Sequence, residues 1–173
     1  IGNSLSALTL AKALVEQNIH VDVLYDKKNS YISKTRTIGI SKSNTDYLNK
    51  NVINIDKLLW KLKKIEIFSD NLKKQKLIDF KKSSDHIFSI IKNYEFYQLL
   101  ERHLTKNKYF KLKHCTSKNL SLIDNYDLVV NCDPSNTITK KYFSKKIVKN
   151  YNSNAYTTII SHEKILNDTA VQI

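Results

Sequence analysis

The chain has 173 residues and a mass of 20.1 kDa, and 29 Lys+Arg against 16 Asp+Glu leave a net charge of +13. That length suits one domain of ordinary size or parts of two, and 41% hydrophobic with 10% aromatic residues is too apolar for a disordered chain. No apolar run approaches the roughly 18 residues of a membrane-spanning helix, so the expectation is a soluble, globular chain, with the cytoplasm as its expected location. No Met occurs and the first residue is Ile1, from which a processed chain or a fragment is expected.

From residue 4 to 17, Leu5, Leu8, Ala11, Leu14 and Val15 recur at helical spacing and predict an amphipathic helix. Residues 19–25 alternate apolar and polar, with Ile19, Val21, Val23 and Tyr25 on one side, which predicts a strand ending at Asp26. A loop runs through Lys34 to an extended piece at 37–40 and a helix over 43–49. Residues 64–68 and 76–80 read as two strands joined by a turn near Ser69, Asp70 and Asn71. A strand at 87–91 leads into a helix over 94–104 with Phe96, Leu99, Leu100 and His103 on one side. Strands are expected at 109–114 and 127–132, the second an apolar run of the kind buried in a parallel sheet. New strand structure is expected from 156–160 onward to Ile173. The alternation of helices and strands indicates an α/β or mixed α+β chain.

The charge directs attention to nucleic acid or an anionic membrane, because clustered cations release counterions from phosphate. Only Arg36 and Arg102 are arginines, and the lysines are dispersed in pairs such as Lys63-Lys64 and Lys140-Lys141, not massed on one helix. Abundant Lys, Asn and Ile with scarce Ala, Gly, Pro and Arg is the bias of AT-rich codons. A solvated surface is therefore expected and nucleic acid is not. Cys115 and Cys132 form no CxxC pattern and are expected as buried free thiols in a reducing compartment, and the five histidines show no metal-ligand spacing, so no metal is expected.

The segment that carries chemistry is Gly2-Asn3-Ser4-Leu5-Ser6-Ala7 at the start of the first helix, with Asp26 closing the next strand 24 positions after Gly2. A small-residue turn lets backbone N–H groups approach a pyrophosphate at a helix N-terminus, and an acid at the end of the next strand accepts from a ribose hydroxyl. Against the usual G-x-G-x-x-G, Ser4 and Ala7 stand at the second and third glycines. From the residues alone, an ordinary helix capped by Ser4 is an equal reading. Asp26 is equally a strand end in solvent, Arg36 a surface ion-pair partner, Asn93 a cap, and Asp133-Pro134 a common turn pair.

Further segments follow in an order that resembles the class A FAD-dependent aromatic monooxygenases, and among them the ubiquinone-biosynthesis hydroxylases. Arg36-Thr37-Ile38-Gly39-Ile40-Ser41 is similar to that family's R-x-x-A-L-S segment, whose arginine faces the flavin. Ile90-Ile91-Lys92-Asn93, running into Phe96, Leu99 and Leu100, resembles its V-V-x-N-x-x-L-x-x-x-L segment, whose polar residue lies beside FAD. Residues 126–133, ending Val129-Val130-Asn131-Cys132-Asp133, resemble D-L-V-V-G-A-D-G, with Pro134 in place of the final glycine. Residues 156–173, with His162-Glu163 and Ala170-Val171-Gln172, are similar to the substrate-sheet strands that follow.

The resemblance implies an α/β fold: a Rossmann-like FAD-binding domain with intercalated strands of a mixed substrate-domain sheet, in an incomplete chain. Its implied division is 1–56 and 93–148 for the FAD-binding domain, 57–92 for substrate-sheet strands, and 149–173 for the start of the substrate domain. It implies FAD as cofactor, NAD(P)H as reductant, and O2-dependent hydroxylation of an aromatic ring, with a prenylated phenol or benzoquinol as substrate. The implied cofactor contacts are Gly2, Ser4, Leu5, Ser6, Ala7, Asp26, Arg36, Asn93 and Asp133, and no side chain is assigned a catalytic role. Association with a membrane surface or a biosynthetic complex is a further expectation. The alternative is a degenerate, non-catalytic Rossmann-like module acting as a partner in such a complex, suggested by Ser4, Asn131 and Pro134.

Overall fold

The structure, a computed structural model, describes residues 1–26, 32–69, 75–81, 86–114, 123–143, 145, 147, 149–156, 158–161, 163 and 168–172. In chain order the elements are α1 (Leu5–Val15), β1 (Val21–Tyr25), β2 (Thr37–Ser41), α2 (Lys42–Asn51), a 3-10 turn (Asp56–Leu58), β3 (Trp60–Leu62), β4 (Lys64–Phe68), β5 (Lys76–Lys81), β6 (Phe88–Lys92), α3 (Asn93–Leu104), β7 (Phe110–His114), α4 (Thr137–Tyr142) and β8 (Thr169–Gln172). They fall into two compact units, Ile1–Ser33 with Tyr97–Tyr156, and Lys34–Phe96 with Thr157–Ile173. The sequence-based division at residue 56 falls inside the second unit, and the unit boundary at 96/97 lies within α3.

In the first unit, α1 begins where the Ser4 hydroxyl accepts the Ala7 N–H at 3.3 Å. It ends in a Schellman arrangement: the Ile19 N–H reaches the Leu14 carbonyl at 3.2 Å, and the Asn18 N–H reaches Val15 at 3.1 Å. Asn18 takes the left-handed conformation there at φ 59°, which asparagine tolerates better than most residues. The helix buries Ala7, Leu8, Ala11 and Val15, a stripe at i, i+1, i+4 and i+8. Full burial stabilises by about 1.5–3 kcal/mol for a side chain of the size of Leu8 or Val15. Lys12 lies in the same buried stripe, its ammonium paired with Glu16 one turn on. The chain then enters β1, which pairs in parallel with β7 from Val21↔Phe110 to Tyr25↔His114. Across that pair, Asp22 accepts from the Lys113 ammonium at 2.6 Å and from the Tyr126 hydroxyl at 2.7 Å.

In the second unit, β6 lies between β2 and β3, antiparallel to both. A second sheet runs β5-β4-β8, with β4 antiparallel to β5 and parallel to β8. Cross-strand pairing divides β4 and β5 into two faces. Lys64, Glu66, Lys76 and Asp79 form an ion-pair ladder on one, with Lys76 to Glu66 at 2.5 Å and Lys64 to Glu66 at 2.7 Å, while Ile65, Ile67, Ile78 and Phe80 share the other. Helix α2 is capped by the Ser41 hydroxyl on the Asn44 N–H, and the Asn49 side chain accepts the Ile55 N–H at 2.8 Å to fix the chain leaving the helix. Ile40, Val52, Ile53, Ile55, Leu62 and Ile91 are buried in this unit.

The structure corrects several expectations. Residues 127–132 form no strand and no buried run: Leu128 is 76% exposed and Val130 40%. Apolar continuity signals burial only if neighbours lie on both sides, and this segment exchanges its backbone bonds with Ile1 alone among the described residues. Residues 158–160 are likewise exposed and outside any ladder, whereas the last strand is β8. In α3 the buried positions are Phe96, Tyr97, Leu100 and Leu104, and His103 faces solvent. Cys132 is a free, half-buried thiol; Cys115, His162, Asp70 and Asn71 lie outside the described residues.

Candidate functional site

Gly2 is buried and stands at φ +104°, a conformation that L side chains rarely adopt. Its N–H donates to the Leu24 carbonyl of β1 at 2.8 Å. On the opposite side, the Ile1 nitrogen donates to the Val130 carbonyl at 2.5 Å, and the Ile1 carbonyl accepts the Cys132 N–H at 2.8 Å. Residues 1–2 are thus held between β1 and the 130–132 segment. A Cβ on Gly2 would stand 3.1 Å from the Asp133 Cβ and 3.3 Å from its nitrogen, so the absent side chain is what lets Asp133 close on the turn.

Three residues after Gly2 the chain is helical. The first N–H groups of a helix have no acceptor inside it and carry partial positive charge. In α1 the Ser4 hydroxyl takes the Ala7 N–H, and Leu5 and Ser6 follow the cap directly. Ser4 and Ser6 are exposed, Leu5 is half-buried and Ala7 is buried. Asp26 is exposed and directly follows β1, two residues beyond the Leu24 carbonyl that holds Gly2. The structure therefore gathers Gly2, Ser4, Leu5, Ser6, Ala7 and Asp133 around one turn, with Asp26 at the end of the strand beside it.

Asn3 escaped the motif reading because it occupies an unspecified position. Its amide oxygen is buried and has no hydrogen-bond partner among the described residues. Burial pushes the neighbouring Tyr97 phenol up and Glu101 adds to this, against an opposing hydrogen bond from Asn3. A buried orphan acceptor beside a helix N-terminus requires a donor from elsewhere. A polar residue between the glycine and the cap was the only sign of it in the sequence.

Asp133 is engaged locally. Its carboxylate accepts the Ser135 N–H at 2.8 Å, its carbonyl accepts the Thr139 hydroxyl at 2.8 Å, and its N–H donates to the Asn131 side chain at 3.2 Å. Asn131 and Asn136 exchange side-chain bonds at 2.7 Å and 3.3 Å, and Asn136 caps α4 through the Thr139 N–H. Arg36 and Asn93 belong to the second unit. They are adjacent there, the Asn93 N–H donating to the Arg36 carbonyl at 3.0 Å where β2 begins and β6 passes into α3. Arg36 is exposed and Asn93 half-buried.

No protein-family model and no curated protein sequence matches the chain. Among solved structures, the crystal structure of p-nitrophenol 4-monooxygenase PnpA from Pseudomonas putida is similar, with a TM-score of 0.53 and 11% identity over 65% of this chain. The fold is α/β and partly Rossmann-like. This chain spans 30% of that neighbour's length, and identity at this level speaks to fold alone. Among the described residues, no helix is long and apolar enough to cross a membrane, and no group of three or more His, Cys, Asp or Glu is placed to hold a metal ion.

Proposed function

We propose that the chain is part of an FAD-dependent monooxygenase that hydroxylates an aromatic ring with NAD(P)H and O2, its substrate class a prenylated phenol or benzoquinol of ubiquinone biosynthesis. The observation that carries this reading is Gly2. Its positive φ and contact with Asp133 turn the chain from β1's neighbour into an N-capped helix, the geometry a dinucleotide's pyrophosphate requires. The orphaned Asn3 oxygen supports it, since a ribose hydroxyl or an adenine amine would supply the missing donor. Further support is the order of the resembling segments and the likeness to a chain named as a p-nitrophenol monooxygenase.

In this reading the Leu5 and Ser6 N–H groups hold the pyrophosphate, Gly2 and Ala7 let it approach, and Ser4 caps the helix and orients its first turn. Asp26 accepts from a ribose hydroxyl, and Asp133 flanks the turn. The resemblance assigns flavin contacts to Arg36 and Asn93, which stand side by side in the second unit. FAD, when held by these residues, would supply the redox chemistry of an NAD(P)H- and O2-dependent ring hydroxylation. The chain's own residues bind, orient and keep water out, and none acts as a nucleophile.

The self-contained bonding of Asp133 with Ser135, Thr139 and Asn131 favours a second reading, a non-catalytic Rossmann-like partner module in a biosynthetic complex. Titration with FAD, followed by flavin fluorescence with ADP as competitor, separates the two. Saturable, ADP-displaceable binding by the unaltered chain, weakened in Asp26→Asn, supports the flavoprotein. Binding that emerges only after Ser4→Gly with Pro134→Gly supports the degenerate module, and binding in neither refutes both.

A further inference from the structure

The second unit holds a cavity of about 450 Å³ that the dinucleotide reading does not use. One wall is a sheet face. Trp60 on β3 stands opposite Ile90 on β6, and Thr37 on β2 stands opposite Lys92, so these cross-strand pairs, two residues apart on β6, project to the same side. Leu58, Leu59, Ile159 and Ile160 add apolar lining, and Trp60 and Ile160 remain 46% and 73% exposed. The volume falls in the range of small-molecule sites, roughly 300–1,000 Å³, which are typically apolar with a few placed polar groups.

The charges select among ligands. Lys92 pairs with Glu95 at 3.1 Å, while Lys57 makes no ion pair among the described residues, so the lining carries one positive charge in excess. We propose that this cavity binds a small aromatic monocarboxylate, its ring system against Trp60 and Ile90 and its carboxylate toward Lys57 and Lys92. Glu95 holds Lys92 in place and disfavours a second negative charge. The site lies wholly within one unit and stands or falls independently of FAD binding.

Trp60 is the sole tryptophan, so its emission reports on this cavity alone. The test titrates the chain with biphenyl-4-carboxylate and with the uncharged biphenyl-4-carboxamide, read by Trp60 fluorescence and by calorimetry at low salt. The acid is expected to saturate and to bind about fivefold tighter than the amide, the scale of one partly exposed charge interaction. In Lys57→Gln that preference falls to about twofold, and in the unaltered chain it shrinks with added salt. Circular dichroism and the response to FAD stay unchanged in the variant. The proposal is overturned by no saturable change in Trp60 emission at millimolar acid, by equal affinity for acid and amide, or by an undiminished preference in Lys57→Gln. The comparison of acid with amide on the unaltered chain decides even if the variant does not fold.

Discussion

Gly39 offers a sharp quantitative test of the β2–β6 pairing. Phe88 stands opposite Ser41 and its ring reaches diagonally over Gly39, where an added Cβ would fall 1.9 Å from Cζ and 2.5 Å from Cε1. Carbon atoms pack at about 3.5–4.0 Å, so an alanine must push the ring tip aside by about 2 Å or part the strands. Overpacking of this kind costs about 1–3 kcal/mol, offset by the roughly 0.5–1 kcal/mol that alanine gains over glycine in backbone entropy. Gly39→Ala is therefore expected to destabilise by about 1–2 kcal/mol. Phe88 is half-buried, so Phe88→Ala should cost about 2 kcal/mol, below the range for a fully buried ring. In the double variant the new methyl group meets no ring and keeps its entropic advantage, so the total should be about 1–1.5 kcal/mol where additivity demands 3–4. Urea unfolding followed by far-ultraviolet circular dichroism measures all three. Additivity within about 0.5 kcal/mol would refute the placement of the ring over Gly39.

Ser89 is fully buried on β6 and its hydroxyl has no hydrogen-bond partner among the described residues, so Ser89→Ala should stabilise by about 1 kcal/mol in the same assay; a loss of stability would reveal a missed partner. Gly2→Ala places a Cβ at φ +104° and against Asp133, and is expected to destabilise by about 2 kcal/mol by strain, with an unchanged midpoint counting against the turn geometry. Asp22 is partly desolvated, which raises its pKa, but the bonds from Lys113 and Tyr126 win and hold it below the usual carboxylate range. The folded state thus binds this proton less readily than the unfolded one, so the contribution is full above the ordinary aspartate pKa and is lost as pH falls through the lowered value. Asp22→Asn should lower stability at pH 7, with the deficit shrinking steadily below pH 4, and a pH-independent deficit would contradict the assignment. Tyr126→Phe removes one hydrogen bond to that carboxylate and should cost about 1 kcal/mol at pH 7.

Much of the local structure was legible in residue pattern. The helical spacing of Leu8, Ala11 and Val15, the alternation through Val21 and Val23, and the serine at 4 before a helical stretch mark elements whose stabilising contacts lie within a turn or two. Such short-range terms are written into sequence order. The small-residue turn at Gly2 was also visible, because only a side chain's absence permits both its conformation and its contact with Asp133. The run Leu128-Val129-Val130 misled, since apolar character records a tendency to be covered and says nothing of which strand does the covering. His103 misled in a similar way, because a helix face is chosen by what packs on it.

Residue pattern by itself narrowed the chain to α/β or mixed α+β, located most of its helices and strands, and marked a glycine-led turn at the start of the first helix. Only the tertiary structure decided that residues 1–2 are held between β1 and the 130–132 segment, that the buried Asn3 oxygen has no partner among the described residues, that Arg36 and Asn93 are neighbours, and that Phe88 covers Gly39. It also assembled the Trp60 cavity from four separate stretches of chain. The physical reason is range. Propensity, capping and periodicity act over a few residues, while burial, orphaned polar atoms and excess charge exist only once distant segments are brought together.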